Sequence, residues 1–208
     1  MKLLSRTIVR RQICTNALLP LALALSCVLI APIGGAQDVT ASDAGLQHFQ
    51  ENVAAYVTLR DRVTAALPEL AVTPDPATLQ RTSDSLARAI RTARWDARRG
   101  DVFTADVARR FRAVISTALR RHGISPSDEL ADVKEELDEG RTSGQRPIVG
   151  INARFSWGSG SAMPPEILAA LPTLPKTLEY TFVNRDLLLV DVEANLVIDR
   201  LPDALHRR

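Results

Sequence analysis

Cysteine is confined to the first 36 residues, where Cys14 and Cys27 lie, and the remaining chain has none. Disulfide bonds, thiol catalysis and cysteine-ligated zinc or iron–sulfur centres are therefore excluded for the chain after residue 36. Lysine is also scarce, with three residues against 23 arginines, and aromatic residues make up 4% of the chain. A fold without covalent cross-links rests on its hydrophobic core, and about 170 residues are enough for one or two small domains.

The first 36 residues have the order of a secretory leader. A basic start without acidic residues, 1–12, precedes a largely apolar stretch over 17–33, and the small residues of 34–36 follow. This order predicts a signal peptide over 1–36 that is cleaved after Ala36, and therefore an exported, periplasmic protein. An uncleaved leader that anchors the protein in the membrane is the alternative, although the apolar stretch is shorter than the about 20 residues of a transmembrane helix.

The entire positive charge balance of the chain belongs to this leader. It holds four of the 26 basic residues and none of the 24 acidic ones, so the remaining chain has 22 basic and 24 acidic residues, a net charge of −2. A nearly neutral chain lacks the basic excess that is typical of nucleic-acid-binding proteins. We therefore predict no nucleic-acid partner.

Apolar residues recur at spacings of three and four between the leader and residue 140, which predicts a helical region over 37–140. About four helices are expected. The first begins at Ser42 and Asp43, which serve as its cap, and the others cover about 76–99, 104–122 and 126–140.

The rest of the chain, 141–208, is predicted to be a linker followed by a small β-module. Residues 149–157 alternate between apolar and other residues and predict a strand, and a short helical turn is expected over 165–170. Three further strands separated by tight turns predict an antiparallel meander. These strands are 178–183, 187–192 and 196–201. The predicted fold class is α+β, with helices first and the meander last.

Catalytic motifs are not found along the chain. There is no G-x-S-x-G turn for a nucleophilic serine, and the Gly-Ser run over 158–161 has no lysine of a phosphate-binding loop. We predict no catalytic residue and no cofactor, and enzymatic activity is the less favoured reading.

Metal-binding patterns are equally weak. The histidines, His48, His122 and His206, lack the spacing of three or four residues that places two ligands on one helix face. The acidic residues of the meander have two interpretations. They form a weak cation site, or they have roles in turns and at a sheet edge, which is the commoner case. These residues are Asp186, Asp191 and Asp199. We predict no metal site.

Charge is distributed unevenly within the helical region. Residues 75–123 hold 11 arginines and five acidic residues, a local charge of +6, whereas residues 127–139 hold seven acidic residues and Lys134, a local charge of −6. Two interpretations stay open. The arginines form a bare surface that binds anions or lipid headgroups, or the acidic helix packs against them and the charges offset each other.

The candidate binding surface is the polar side of the second helix. Its residues are Arg81, Arg88, Arg91, Trp95 and Arg99. An indole on a polar helix face either packs against the C-terminal sheet, which is the commoner case, or contacts a partner.

The C-terminal tail resembles that of RcnB-type periplasmic proteins. The resemblance runs over 163–201 and is carried by the segments MPPEIL (163–168), LPKTLEY (174–180), DLLLVD (186–191) and LVID (196–199). The family tail likewise leads from a proline-containing turn into a tyrosine-bearing strand and two apolar strands. The family is associated with nickel and cobalt homeostasis, and its histidine-rich metal-binding stretch has no counterpart here.

The leading functional prediction is an exported periplasmic or envelope-associated protein that acts by binding and not by catalysis. Its expected partner is an envelope protein or an anionic lipid surface. The alternative, implied by the resemblance of the tail, is a periplasmic protein of divalent-metal (nickel or cobalt) homeostasis.

Overall fold

Helices precede a three-stranded antiparallel sheet in the computed structural model, which confirms the α+β class. The elements are α1 (Gly35–Ala65), α2 (Pro76–Ala93), α3 (Ala105–Arg121), α4 (Pro165–Ala170), β1 (Leu178–Val183), β2 (Asp186–Asp191) and β3 (Leu196–Leu201). The structure describes residues 35–68, 75–125, 150–157, 160–161 and 163–205, with the backbone alone for 35–43. The predicted helix over 126–140 and all but the last two residues of the predicted leader lie outside these ranges.

Helix α1 buries the stripe that its apolar spacing predicts. Phe49, Val53 and Tyr56 are buried in the core, and Leu46 and Val63 pack against it. The predicted start at Ser42 is wrong, because the helix begins at Gly35 and includes the position after Ala36 at which cleavage is expected. No proline or glycine lies between that position and Ser42, so nothing in the backbone chemistry stops the helix from extending.

Helix α2 begins where the sequence predicts and ends earlier. Asp75 is its N-cap, and the carboxylate accepts hydrogen bonds from the backbone N–H groups of Ala77 and Thr78. The helix ends at Ala93 and not at Arg99, with Arg94 as the C-cap. The residues that hold Arg94 explain this end and are described below.

Helix α3 contacts the sheet through a cluster of aromatic rings. Phe111 lies 4.7 Å from Phe49 and 5.3 Å from Phe103, and 6.1 Å from Tyr180 of β1, measured between ring centroids. Edge-to-face pairs of this kind add stability beyond the area that they bury. The cluster joins α1, the loop before α3, α3 and the sheet in one hydrophobic core.

The sheet has the order β1-β2-β3 and is buried on both faces. Leu187 and Leu189 of β2 face the helices, and Leu188 and Val190 face a second, smaller cluster. The left-handed backbone of Asn184 and Asn195, with φ of 56° and 50°, shapes the two turns, a conformation that asparagine tolerates. The predicted meander is therefore present with tight turns.

The predicted strand over 149–157 is not a regular strand. Asn152 has a φ of 58°, and its position in a turn interrupts the extended backbone that the alternation predicts. Only an isolated bridge joins Arg154 to Leu196 of β3. The segment instead lays Phe155 onto the second face of the sheet, where this ring packs with the cluster of Val183, Leu188, Val190 and Val197.

Candidate functional site

The predicted surface residues divide into two groups in the structure. Arg81 lies in the second turn of α2 and donates a hydrogen bond to the hydroxyl of Thr78. From Arg81 to the end of the helix at Ala93 is about 18 Å of helix axis. Arg81 is therefore separated from Trp95, and the structure does not bring all five predicted residues together.

Trp95 projects into solvent. Its exposed fraction is 84%, the largest among the exposed large apolar side chains of the described residues. The expectation that the ring packs against the C-terminal sheet is wrong. Because the helix has already ended, Trp95 belongs to a turn, and the packed side chain at this point is its neighbour Arg94.

Arg94 is buried, with 8% exposure, and its contacts explain why α2 ends here. Its guanidinium donates to the Asn152 side chain at 3.0 Å and to the Ile198 carbonyl at 3.2 Å, and lies 5.2 Å from the Tyr56 ring centroid. Asn152 in turn donates to the Arg94 carbonyl at 2.8 Å. Burial lowers the pKa of Arg94. These contacts draw residue 94 out of the helix and leave residue 95 outside.

Asp199 of β3 holds the loop that follows. Its buried carboxylate accepts backbone N–H groups of Gly100 at 2.9 Å and of Val102 and Phe103 at 2.7 Å each. A β-bulge makes this possible. Leu189 pairs with Asp199 and Val190 with Val197, so the extra residue between them turns Asp199 towards the helices. The bulge therefore positions the loop over residues 98–103.

Asp191 at the end of β2 forms a second buried network, with α1. Its carboxylate accepts from the Tyr56 hydroxyl at 2.7 Å and from Nε of Arg60 at 2.8 Å, and the second nitrogen Nη2 of Arg60 donates to Glu193. The Ala194 N–H also donates to Asp191 at 2.8 Å. Burial lowers the pKa of Arg60, but the carboxylates of Asp191 and Glu193 together outweigh burial and raise that pKa. Burial and the same carboxylate raise the pKa of Tyr56.

These networks correct the roles predicted for the acidic residues of the meander. Asp191 and Asp199 are fully buried anchors between the sheet and the helical layer, and not exposed turn or edge residues. The sequence carries a signal for one of them that sequence reasoning missed. Arg60 continues the apolar stripe of Val53 and Tyr56 at a spacing of four, and a cation on a core face predicts a buried acidic partner.

The remaining members of the predicted surface are free of ion pairs in the described part of the chain. Arg88 donates a hydrogen bond to the hydroxyl of Ser85, and Arg91 donates to the Asn152 carbonyl at 3.0 Å. Arg99 is exposed beside the loop that Asp199 holds. We call Arg88, Arg91, Trp95 and Arg99 the Trp95 surface. Its residues lie in the last two turns of α2 and in the loop after it; Arg88, Trp95 and Arg99 are exposed, and Arg91 is half-buried.

His48 and Asp106 form an exposed pair between α1 and α3. Nδ1 of His48 lies 2.6 Å from the Asp106 carboxylate, which also accepts from the Thr104 hydroxyl. The hydrogen bond to Asp106 raises the pKa of His48. Hydrogen bonds from Thr104 and His48 hold the pKa of Asp106 far below its usual value. This pair links the two helices.

Within the described ranges, no group of three histidine, cysteine, aspartate or glutamate side chains is arranged to hold a metal ion. The same ranges contain no helix long and apolar enough to cross a membrane. The interpretation as a metal-homeostasis protein stays a prediction that rests on the tail resemblance.

Comparison of the chain with protein-family models, with curated proteins and with solved structures gives no match.

Proposed function

We propose that this protein is exported to the bacterial periplasm and acts without catalysis, by attaching to an anionic lipid surface of the envelope through the Trp95 surface. The leader over 1–36 supports export. Mass spectrometry of the protein recovered from a periplasmic extract tests export, because the exported protein should lack residues 1–36.

The exposure of Trp95 carries the proposal. Exposing 84% of the largest apolar side chain to water is unfavourable, and this cost is recovered when the indole enters an apolar or interfacial environment. Tryptophan is enriched at membrane–water interfaces, where its apolar ring and its N–H group both find suitable surroundings. Each arginine near an anionic membrane adds about 1 kcal/mol of attraction.

A lipid surface suits this region better than a protein partner does. The centre of a protein interface is a contiguous apolar patch. Among the described residues, the other exposed large apolar side chains belong to other segments: Leu79 to the first turn of α2, Trp157 to the segment before α4 and Leu168 to α4. The chain around Trp95 is charged and net basic, since Asp96 is followed by the exposed Arg98 and Arg99. An indole beside basic residues is typical of an interfacial anchor.

Binding to vesicles of phosphatidylcholine with phosphatidylglycerol tests the proposal by co-sedimentation and by the fluorescence of Trp95 in a Trp157→Phe background. We expect binding that weakens as salt rises, with a blue shift of Trp95 emission. Trp95→Ala should weaken partitioning at least five-fold. Arg88→Gln with Arg99→Gln should weaken it and reduce its salt dependence, because fewer headgroups are neutralised.

Leu168→Ala is the matched control, since Leu168 is an apolar side chain of α4 with 52% exposure. It should bind vesicles as the unchanged protein does. Absence of binding at low salt, or equal losses in Trp95→Ala and Leu168→Ala, would contradict lipid attachment through this surface. A complex with an envelope protein that survives in detergent and is lost in Trp95→Ala would also contradict it, in favour of a protein partner.

A further inference from the structure

A second basic region lies on α3, in a cavity of about 390 Å³ between this helix and the C-terminal residues Ala204 and Leu205. Arg109, Arg112 and Arg120 line it together with the hydroxyl residues Ser116 and Thr117. The volume lies at the low end of the range for ligand pockets, about 300–1,000 Å³. We call this cavity the α3 pocket.

Helix periodicity explains how the arginines come together. Residues 109, 112, 116 and 120 are separated by three or four positions, so they lie along one face of α3 over about 16 Å of its axis. The core face of the same helix carries Ile115 and Leu119, which form the apolar side of the pocket. The pocket is therefore built from a rigid helix and not from a loop.

Every polar side chain that lines the α3 pocket is a hydrogen-bond donor without an acidic partner in the described part of the chain. Arg112 is half-buried and is held by one bond, from Nη2 to the Pro202 carbonyl at 2.7 Å. A guanidinium carries five N–H groups, and no further bond ties those of Arg112 to the described residues. Arg109 makes no ion pair or hydrogen bond with the described residues.

The two hydroxyl oxygens accept from Arg120, which leaves each hydroxyl hydrogen for another partner. Arg120 donates to Oγ of Ser116 at 3.0 Å and to Oγ1 of Thr117 at 3.2 Å. A hydroxyl oxygen that accepts from a guanidinium turns its own hydrogen away from it. Elsewhere in the helices Thr64 and Ser85 donate to the carbonyl four residues before them, whereas no such bond occupies Ser116 or Thr117.

The contrast with other arginines of the protein is informative. Arg154 lies 2.6 Å from Asp84, and Arg200 lies 3.5 Å from Asp186. Arg109 and Arg112, three positions apart on one helix, repel each other without such a counter-charge. An anion in the α3 pocket removes this repulsion and satisfies the open donors.

We propose that the α3 pocket is a binding site for a phosphate group, either free phosphate or the phosphate of a lipid headgroup. Guanidinium groups bind phosphate oxygens through paired N–H donors, and hydroxyl donors complete the shell. The site consists of other residues than the Trp95 surface and does not depend on the proposed lipid attachment.

Isothermal titration of the full chain with inorganic phosphate tests the site. We expect saturable binding at one site in the unchanged protein and at least ten-fold weaker binding in Arg109→Gln with Arg120→Gln. Both arginines are exposed, so this variant should keep its thermal unfolding midpoint. Arg62→Gln with Arg98→Gln is the matched control, because it removes two exposed arginines outside the pocket, and it should bind phosphate normally.

The source of the phosphate follows from a second titration in the presence of phosphatidylglycerol vesicles. If the vesicles abolish the heat of phosphate binding, the site is assigned to a lipid headgroup. If the heat of phosphate binding is unchanged, the site is assigned to free phosphate. No binding of phosphate at millimolar concentration, or the same weakening in the pocket variant and in the control, overturns the proposal. Trp95→Ala should leave phosphate binding unchanged, so failure of the proposed membrane attachment and failure of this site are distinguishable.

Discussion

Arginine has opposite roles in two regions of the protein. One region is the boundary between the helices and the sheet, and the other is the outer faces of α2 and α3. Arg60 and Arg94 at the boundary are 4% and 8% exposed, and their guanidinium groups are bound by residues of the sheet and of the segment before it. Arg88 of α2 and Arg109 of α3 are exposed and have no ion pair among the described residues. A buried guanidinium stabilises the fold only where its donors meet acceptors, whereas an exposed one is available to a ligand. Substitutions at the boundary should therefore affect stability, and those outside should affect binding.

The largest effect is expected for Asp199→Ala. This change leaves the N–H groups of Gly100, Val102 and Phe103 without their acceptor, and we expect a loss of about 4 kcal/mol in the free energy of unfolding. Urea denaturation measures it. Asp186→Ala, at a partly exposed position of β2, is the control and should lose about 1 kcal/mol or less. Equal losses in the two variants would mean that Asp199 does not hold the loop.

Arg60→Met should cost about 3 kcal/mol, because Asp191 is left buried with only the Tyr56 hydroxyl and backbone donors. The double change Arg60→Met with Asp191→Leu should recover part of this loss, since it removes the remaining buried charge. A double-mutant cycle by urea denaturation measures the coupling. A double variant that is as unstable as the sum of the single ones would show that the two side chains do not act as a pair.

The smallest effect concerns the exposed pair of His48 and Asp106, and it depends on pH. Because the pKa of His48 is raised in the folded protein, its contribution to stability is complete below its unfolded value of 6.5 and is lost as pH rises through the folded value. The pKa of Asp106 is lowered in the folded protein, so its contribution to stability is lost only as the pH falls to strongly acidic values.

Thermal unfolding between about pH 6 and 8 checks this pair, because the ordinary pKa of histidine lies in this interval. We expect the midpoint of the unchanged protein to fall slightly over this interval relative to that of His48→Gln. His122→Gln is the control, because His122 is exposed at the end of α3 and its ring forms no ion pair with a carboxylate of the described residues. Parallel curves for the protein and His48→Gln would exclude the contribution.

Several features of the fold follow from local patterns. The spacing of Phe49, Val53 and Tyr56 predicts the buried face of α1, and the spacing of Val107 and Phe111 predicts that of α3, as the structure confirms. The meander is predictable because its alternating strands are joined by short turns. The strand over 149–157 is wrong because alternation does not detect the left-handed backbone of Asn152.

The candidate site was harder to predict. The Trp95 surface consists of four of the five residues that the sequence predicts for a binding surface, but the exposure of Trp95 depends on Arg94 leaving the helix. The residues that hold Arg94 are Asn152 and Ile198, which are 58 and 104 positions away along the chain. The α3 pocket depends on the packing of Leu205 beside α3, which the spacing of arginines alone does not indicate.

The sequence by itself determined the order of helices and strands and most of the core faces, because periodicity is a property of neighbours along the chain. Only the tertiary structure decided which arginines are buried and which are exposed. Burial removes water from a guanidinium, so the group is stable in the interior only where protein acceptors replace that water. Here those acceptors come from β2, β3 and the segment before α4. Their arrival depends on the bulge in β3 and on the turn at Asn152, neither of which a helix pattern contains.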